Sequence, residues 1–155
     1  MKVAIGADHN GYALKEALIA ALNKSGYQVE DVGTFTPGAA DYPDLAEKVG
    51  ESVAEKHADR GVLICGTGIG MSIAANKVSG VRAALVLDEL SAQRAREHND
   101  ANVLCLAGTT EAMAAQKMVQ KFLTTSFDGE KAEGVRHANR IAKITKLEQQ
   151  PKKVR

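Results

Sequence analysis

The chain is poor in aromatic residues, has no tryptophan and only two cysteines, carries almost no net charge and contains no long apolar run. Each shortage removes a class of protein. Aromatics make up 4% of the 155 residues while 45% are hydrophobic, so small aliphatic side chains must fill the core, and alanine-rich helices lying close on a sheet suit that. A formal net charge of +1 argues against a nucleic-acid protein, whose footprint is a basic face or stripe. No apolar run approaches the roughly 20 residues that cross a bilayer. Met1-Lys2-Val3-Ala4-Ile5 enters a strand pattern at once, without a cleavable signal. Cys65 and Cys105 each fall in or at the end of a buried-strand pattern and lack Cys-x-x-Cys spacing. That argues against a disulfide framework or a zinc site, and for a reducing cytoplasm.

What remains is a regular alternation. Lys2–Ala7 reads as a buried strand, followed by a helix whose stripe is Ala13, Leu14, Ala17, Leu18, Ala21 and Leu22, stopped by Gly26. A strand over Tyr27–Val32 leads into the longest irregular stretch, Gly33 to Pro43, and Pro43 can open the next helix. A central strand from Gly61 breaks at three glycines into a helix over about 69–78. Strands over Val81–Leu87 and Asn102–Ala107 alternate with helices over Glu89–Glu97 and about 111–123, and an amphipathic helix spans about 131–147. No internal repeat or linker interrupts the pattern. It predicts a single doubly wound, Rossmann-like α/β domain over residues 1–147, with a five-stranded parallel sheet, helices on both faces and a basic tail over 148–155.

The organising stretch is Ile64-Cys65-Gly66-Thr67-Gly68-Ile69-Gly70. A strand that turns sharply into a helix leaves amides unpaired, with the helix dipole behind them, and so suits an anion or a developing oxyanion. The spacing is wrong for the dinucleotide fingerprint, because Met71 stands where its third glycine belongs, and no Lys-Ser/Thr pair makes a Walker A loop. Ligands of such sheets bind at the carboxyl ends of the strands where strand order reverses. With a flavodoxin-like order of 2-1-3-4-5, Asp8 and His9 arrive there beside Cys65 and the glycine turn. Each has a plainer reading: Asp8 as a helix cap, His9 as a solvated loop residue, Cys65 as a small buried hydrophobe. A strand end beside a helix N-terminus, however, lowers a thiol pKa, so a reactive Cys65 weighs equally with a packed one. Arg136 and Arg140 share a helix face with His137 between them, which reads either as a phosphate grip or as a solvated face.

Taken together, Gly6-Ala7-Asp8-His9, Asp41-Tyr42-Pro43, Ile64 to Gly70 running on to Ala74-Ala75-Asn76-Lys77, Gly80-Val81-Arg82-Ala83, Glu97 to Val103 and Arg136-His137-x-x-Arg140 resemble the ribose-5-phosphate isomerase B family. That family also includes the galactose-6-phosphate isomerase subunits. The resemblance implies a metal-free aldose–ketose isomerase without a cofactor, acting on a sugar phosphate through an enediol(ate). It gives Cys65 as the base between C2 and C1. His98 helps to open the sugar ring, with Asp8 in the same cluster, and the amides of Gly66, Gly68 and Gly70 stabilise the enediolate oxygen, aided by Thr67 and Asn99. His9, Arg136, His137 and Arg140 bind the phosphate and Tyr42 lines the sugar pocket. It further implies a homodimer or homotetramer whose site straddles an interface, with His98 and Asn99 supplied by the partner chain. One branch of the family carries its base as a glutamate on the following helix; residues 69–77 here hold no acid, which places this chain with the cysteine branch.

One departure bears on the substrate. Many members carry Gly-x-Arg after the last strand, where this chain has Gly108-Thr109-Thr110. The resemblance makes ribose 5-phosphate the leading substrate, the departure keeps four- and six-carbon sugar phosphates open, and a non-catalytic phosphosugar-binding module is the remaining alternative.

Overall fold

The structure, a computed structural model, describes residues 1–149; residues 150–155, most of the expected basic tail, lie outside the described residues. Five strands, β1 (Lys2–Ala7), β2 (Gln28–Gly33), β3 (Arg60–Cys65), β4 (Ala83–Leu85) and β5 (Val103–Ala107), form one sheet in the order β2-β1-β3-β5-β4, with every pair parallel. Six α-helices accompany them: α1 (Tyr12–Lys24), α2 (Tyr42–Ala54), α3 (Ile69–Ala75), α4 (Glu89–Asn99), α5 (Ala112–Thr124) and α6 (Val135–Gln149). Two short 3₁₀ turns, Asp128–Glu130 and Ala132–Gly134, precede α6, so the last helix starts four residues later than its periodicity suggests.

Alternation along the strands sends residues to two separate cores. Val3, Ile5, Val62, Ile64, Leu104 and Leu106 pack under α1, α4 and α5 with Leu14, Leu18, Ala92, Met118 and Phe122. Ala4, Leu63, Cys65, Val103 and Cys105 face α2 and α3 with Leu45, Val49 and Met71. Right-handed crossovers explain the division. The chain steps one way across the sheet from β2 to β3 and from β3 to β4, which places α2 and α3 on one face. It steps back from β1 to β2 and from β4 to β5, which places α1 and α4 on the other.

The strand order departs from 2-1-3-4-5 because β4 and β5 exchange places. Val103 to Leu106 are all buried, as a central strand requires, whereas Ala83 to Leu85 are only half-buried and fit an edge. The crevice between β1 and β3 survives the exchange. Local signals set the helix starts: Asp88 and Ser91 close a capping box on α4, and the Glu111 carboxylate accepts from the amides of Met113 and Ala114 at 2.9 and 2.8 Å.

Candidate active site

At the carboxyl ends of β1 and β3, Asp8 closes the gap between the strands. Its amide donates to the Ile64 carbonyl at 3.1 Å, and its Oδ1 accepts from the amides of Asn10 and Gly11 at 2.9 and 3.2 Å. Asp8 is thus buried and organises the turn into α1 through one carboxylate oxygen. His9 is exposed beside it, and Asn10 Nδ2 lies 3.2 Å from His9 Nε2. Asn10 also lies against Gly66, where an added Cβ would sit 3.7 Å from Asn10 Nδ2. The sequence offered no signal for Asn10, because nothing in its spacing reveals that the first turn folds against the glycine turn.

Cys65 ends β3 on the α2–α3 face, 5% exposed. Its carbonyl accepts from the Gly108 amide at 2.7 Å, which fixes the strand end, and its Sγ accepts from the Gly68 amide at 3.2 Å. Gly68 makes that contact from the left-handed region, φ 75°, directly before α3. The hydroxyl of exposed Thr67 accepts from the Ile69 amide at 3.3 Å, and the Gly70 amide in the first turn has no acceptor among the described residues. The Tyr42 ring covers Gly70 so closely that a Cβ there would meet it at 2.8 Å. Cys105 differs sharply from Cys65. It pairs with Leu63 inside the sheet, and burial, followed by the nearby Cys65, pushes its thiol far above the ordinary range, so it acts as a packing group.

The remaining expected residues lie at the other pole of the sheet. His98 occupies the last turn of α4 and Asn99 ends it, and the chain then enters β5 at Val103, opposite Gly61. Gly61 to Cys65 alone spans about 13 Å of strand. One chain therefore does not bring His98 to Cys65 and Asp8. The His98 ring stacks on His137, centroids 4.3 Å apart and 5° from parallel, so α6 belongs to the same pole. His137 is buried while Arg136 and Arg140 stay exposed, and Arg136 Nη1 donates to the Glu133 carbonyl at 2.7 Å. Burial, then the charges of Arg136, His98 and Arg140, hold the His137 pKa below its ordinary value against an opposing pull from Asp128.

Glu97, His98 and Asp128 also present ligand atoms within 4.8 Å of one another, a grouping that sequence spacing does not reveal because Asp128 arrives from the 3₁₀ turn. The donor set suits a cation poorly. Glu97 already accepts from Gln93 and Arg94, Asp128 pairs with Lys131 at 2.7 Å, and Arg94 Nη1 lies 3.2 Å from His98 Nε2.

The better-formed concavities of the isolated chain, each of about 500 Å³, lie between α1 and α5 and beside β4 and the end of α6. Neither is lined by Cys65.

A family profile described as Ribose/Galactose Isomerase matches residues 3–144. The chain is 42% identical to ribose-5-phosphate isomerase B of Escherichia coli over 148 residues, covering 96% of this chain and 97% of that protein. Among solved structures it superposes on Clostridium thermocellum ribose-5-phosphate isomerase B with a TM-score of 0.91 at 45% identity, covering 96% of this chain and 98% of that one. It also superposes on the Mycoplasma genitalium enzyme with bound ribulose-5-phosphate, with a TM-score of 0.90 at 40% identity and 97% of both chains.

Proposed function

The chain belongs to the ribose/galactose isomerase family, and on that premise we propose that it interconverts an aldose phosphate and its ketose, ribose 5-phosphate and ribulose 5-phosphate first among them. The observation that carries the reading is the Gly68 amide donating to Cys65 Sγ at 3.2 Å, in a turn that keeps a further amide, that of Gly70, without an acceptor. A proton on carbon beside a carbonyl leaves only when a base and an oxyanion donor act together. The glycine turn supplies both. Cys65 as thiolate takes the C2 proton; the electron pair moves onto the C1 carbonyl oxygen to give the enediolate, held by the turn amides and Thr67; the thiol returns the proton at C1 as a proton passes from the C2 hydroxyl to the C1 oxygen, leaving the ketone at C2. Asp8 offers its second carboxylate oxygen to a sugar hydroxyl, and Tyr42 closes the pocket over Gly70. The residues do this without a metal or cofactor.

The two poles are completed by a second copy of the chain. His98 and Asn99 of one copy reach the glycine turn of another, and the stack of His98 on His137 carries Arg136 and Arg140 with them to the phosphate opposite His9. Exposed Ile69 and Ile73 on α3 and Ile144 and Leu147 on α6 give such an assembly, a homodimer or homotetramer, apolar surface to bury. No described helix is long and apolar enough to cross a membrane, and two free thiols fit a reducing cytoplasm.

A second reading keeps the chemistry and changes the sugar. Thr109 and Thr110 follow Gly108, whose amide touches the Cys65 carbonyl, so the missing arginine falls beside the reacting centre. A panel of four- to six-carbon aldose phosphates, run with and without a chelator, separates the two. Ribose 5-phosphate turning over fastest, with no loss to the chelator, is the expected outcome. A faster four- or six-carbon substrate overturns the ribose assignment, and neither turnover nor C2 proton exchange for any sugar in the panel overturns the isomerase.

A further inference from the structure

Beside the amino ends of β3 and β4 lies an accumulation of positive charge that the isomerase reading does not use. Arg82 Nη2 and Arg96 Nη1 each donate to one oxygen of Asp100, both at 2.7 Å. Arg82 Nε also donates to the Asp100 carbonyl at 2.9 Å, and Arg96 Nη1 to the Ala101 carbonyl at 2.6 Å. Asp100 is thus shared by two guanidinium groups, one on each oxygen, and makes no hydrogen bond to a third nearby. Arg60, which opens β3, is that third. Its Nη1 donates to the Asp59 carbonyl at 2.6 Å, and its Nε is buried without any partner. Burial, then the nearby Arg96 charge, hold the Arg60 guanidinium below its ordinary range. A buried charged donor left unpaired marks a missing acceptor.

A cleft of about 290 Å³ opens at this point, lined by Lys56, Asp59, Arg60, Arg82, Asp100 and Asn102. With Arg96 behind it, four cations face two carboxylates, and one of those, Asp59, is engaged by the Lys2 amide at 2.7 Å. Lys56 is exposed, held at φ 61° in the turn after α2. Asp100 caps α4 directly after His98 and Asn99, and Arg82 Nε also donates to the Asn99 carbonyl at 3.2 Å, so the cleft borders that pole, while Lys56 and Arg60 come from the turn after α2 and the start of β3. We propose that this cleft is a second anion site, in which a phosphate-class dianion sits between Lys56, Arg60 and Arg82 and supplies the acceptor that Arg60 lacks. A tetrahedral oxyanion matches the planar fork of a guanidinium, which a single chloride does not.

The test uses the full chain carrying Arg136→Gln and Arg140→Gln, so that the two arginines of the proposed substrate phosphate grip are gone, titrated with inorganic phosphate by calorimetry at constant ionic strength. One phosphate per chain is expected, with sulfate competing and chloride not. Adding Arg60→Gln weakens binding by about tenfold or more, which is roughly 1.4 kcal/mol. Lys56→Gln, on an exposed side chain that leaves the fold intact, weakens it by about threefold, and it decides the matter if the Arg60 variant does not fold. Glycerol phosphate runs in parallel: tighter binding than inorganic phosphate points to a phosphorylated metabolite, and the reverse to the free anion, either result supporting the site. No phosphate bound, competition by chloride at equal strength, or an affinity indifferent to both Arg60→Gln and Lys56→Gln overturns it. Failure here leaves the isomerase reading untouched, because Arg60 and Lys56 take no part in it.

Discussion

Gly68→Ala is the perturbation that tests the glycine turn most directly. Gly68 holds φ 75°, and a Cβ added there would lie 2.6 Å from Leu85 Cδ1 and 2.9 Å from the carbonyl carbon and oxygen of Leu106. The Leu85 methyl can move, but the Leu106 carbonyl belongs to β5 and cannot. Left-handed backbone costs a residue with Cβ about 1–2 kcal/mol, and forcing a methyl against fixed backbone about 1–3 kcal/mol more. The sum is roughly 2–5 kcal/mol, a fall of about 5–15 °C in melting temperature for a chain of this size. Relief of that strain turns the Gly68 amide away from Cys65 Sγ, so kcat should drop by about 10²-fold, as when an oxyanion donor is lost, while KM changes little. Gly66→Ala is the internal control. Its Cβ would find open space and Asn10 at 3.7 Å, ordinary contact, so its stability should stay within about 0.5 kcal/mol of the parent. Thermal unfolding by circular dichroism and a coupled isomerase assay read both variants. Equal stability and equal kcat for the two alanine variants would refute the reasoning.

Cys65→Ala should cut turnover by roughly 10²–10⁴-fold while sugar phosphate still binds by calorimetry; near-normal turnover removes Cys65 as the base. Mixing Cys65→Ala chains with His98→Ala chains after denaturation should restore about a quarter of the parent activity, because a mixed dimer holds one intact site; two inactive variants that stay inactive when mixed argue for a site within one chain. The His137 pKa lies below its ordinary value of 6.5, so the unfolded chain takes up that proton first. Its contribution to stability is complete above about pH 6.5 and is lost as pH falls toward the native pKa, which His137→Asn should abolish in pH-dependent melting. A phosphate dianion beside His137 reverses the shift, so substrate binding near pH 6 should draw in a proton, measured by calorimetry in two buffers of different ionisation enthalpy. Uptake that persists in His137→Asn places the phosphate elsewhere.

Much of the fold could be read from local chemistry. The bounds of β1 and the starts of α2 and α4 follow from an apolar run, a proline at the first turn and a capping aspartate, all of which act within a few residues. The exchange of β4 and β5 was harder, since strand order depends on which strand can bear burial on both faces. The clue lay in Val103-Leu104-Cys105-Leu106 against the short Ala83-Ala84-Leu85, a comparison between segments rather than a motif within one. His98 and Asn99, expected to follow α4, form its last turn instead, and that turn directs the His98 ring onto His137.

For the candidate site, the sequence by itself determined the chemistry available: a thiol at a strand end, three glycines at the next helix start, and an arginine pair one helical turn apart. These are properties of residue type and short spacing, and they survive in any fold that keeps the alternation. Only the tertiary structure decided what meets what. Parallel strands put every βα turn at one pole and every αβ turn at the other. Asp8, Tyr42 and Cys65 therefore converge across more than fifty residues of chain, while His98, His137 and both arginines gather at the far end. The same topology crowds Arg60, Arg82 and Arg96 around a single Asp100, which no spacing in the sequence announces.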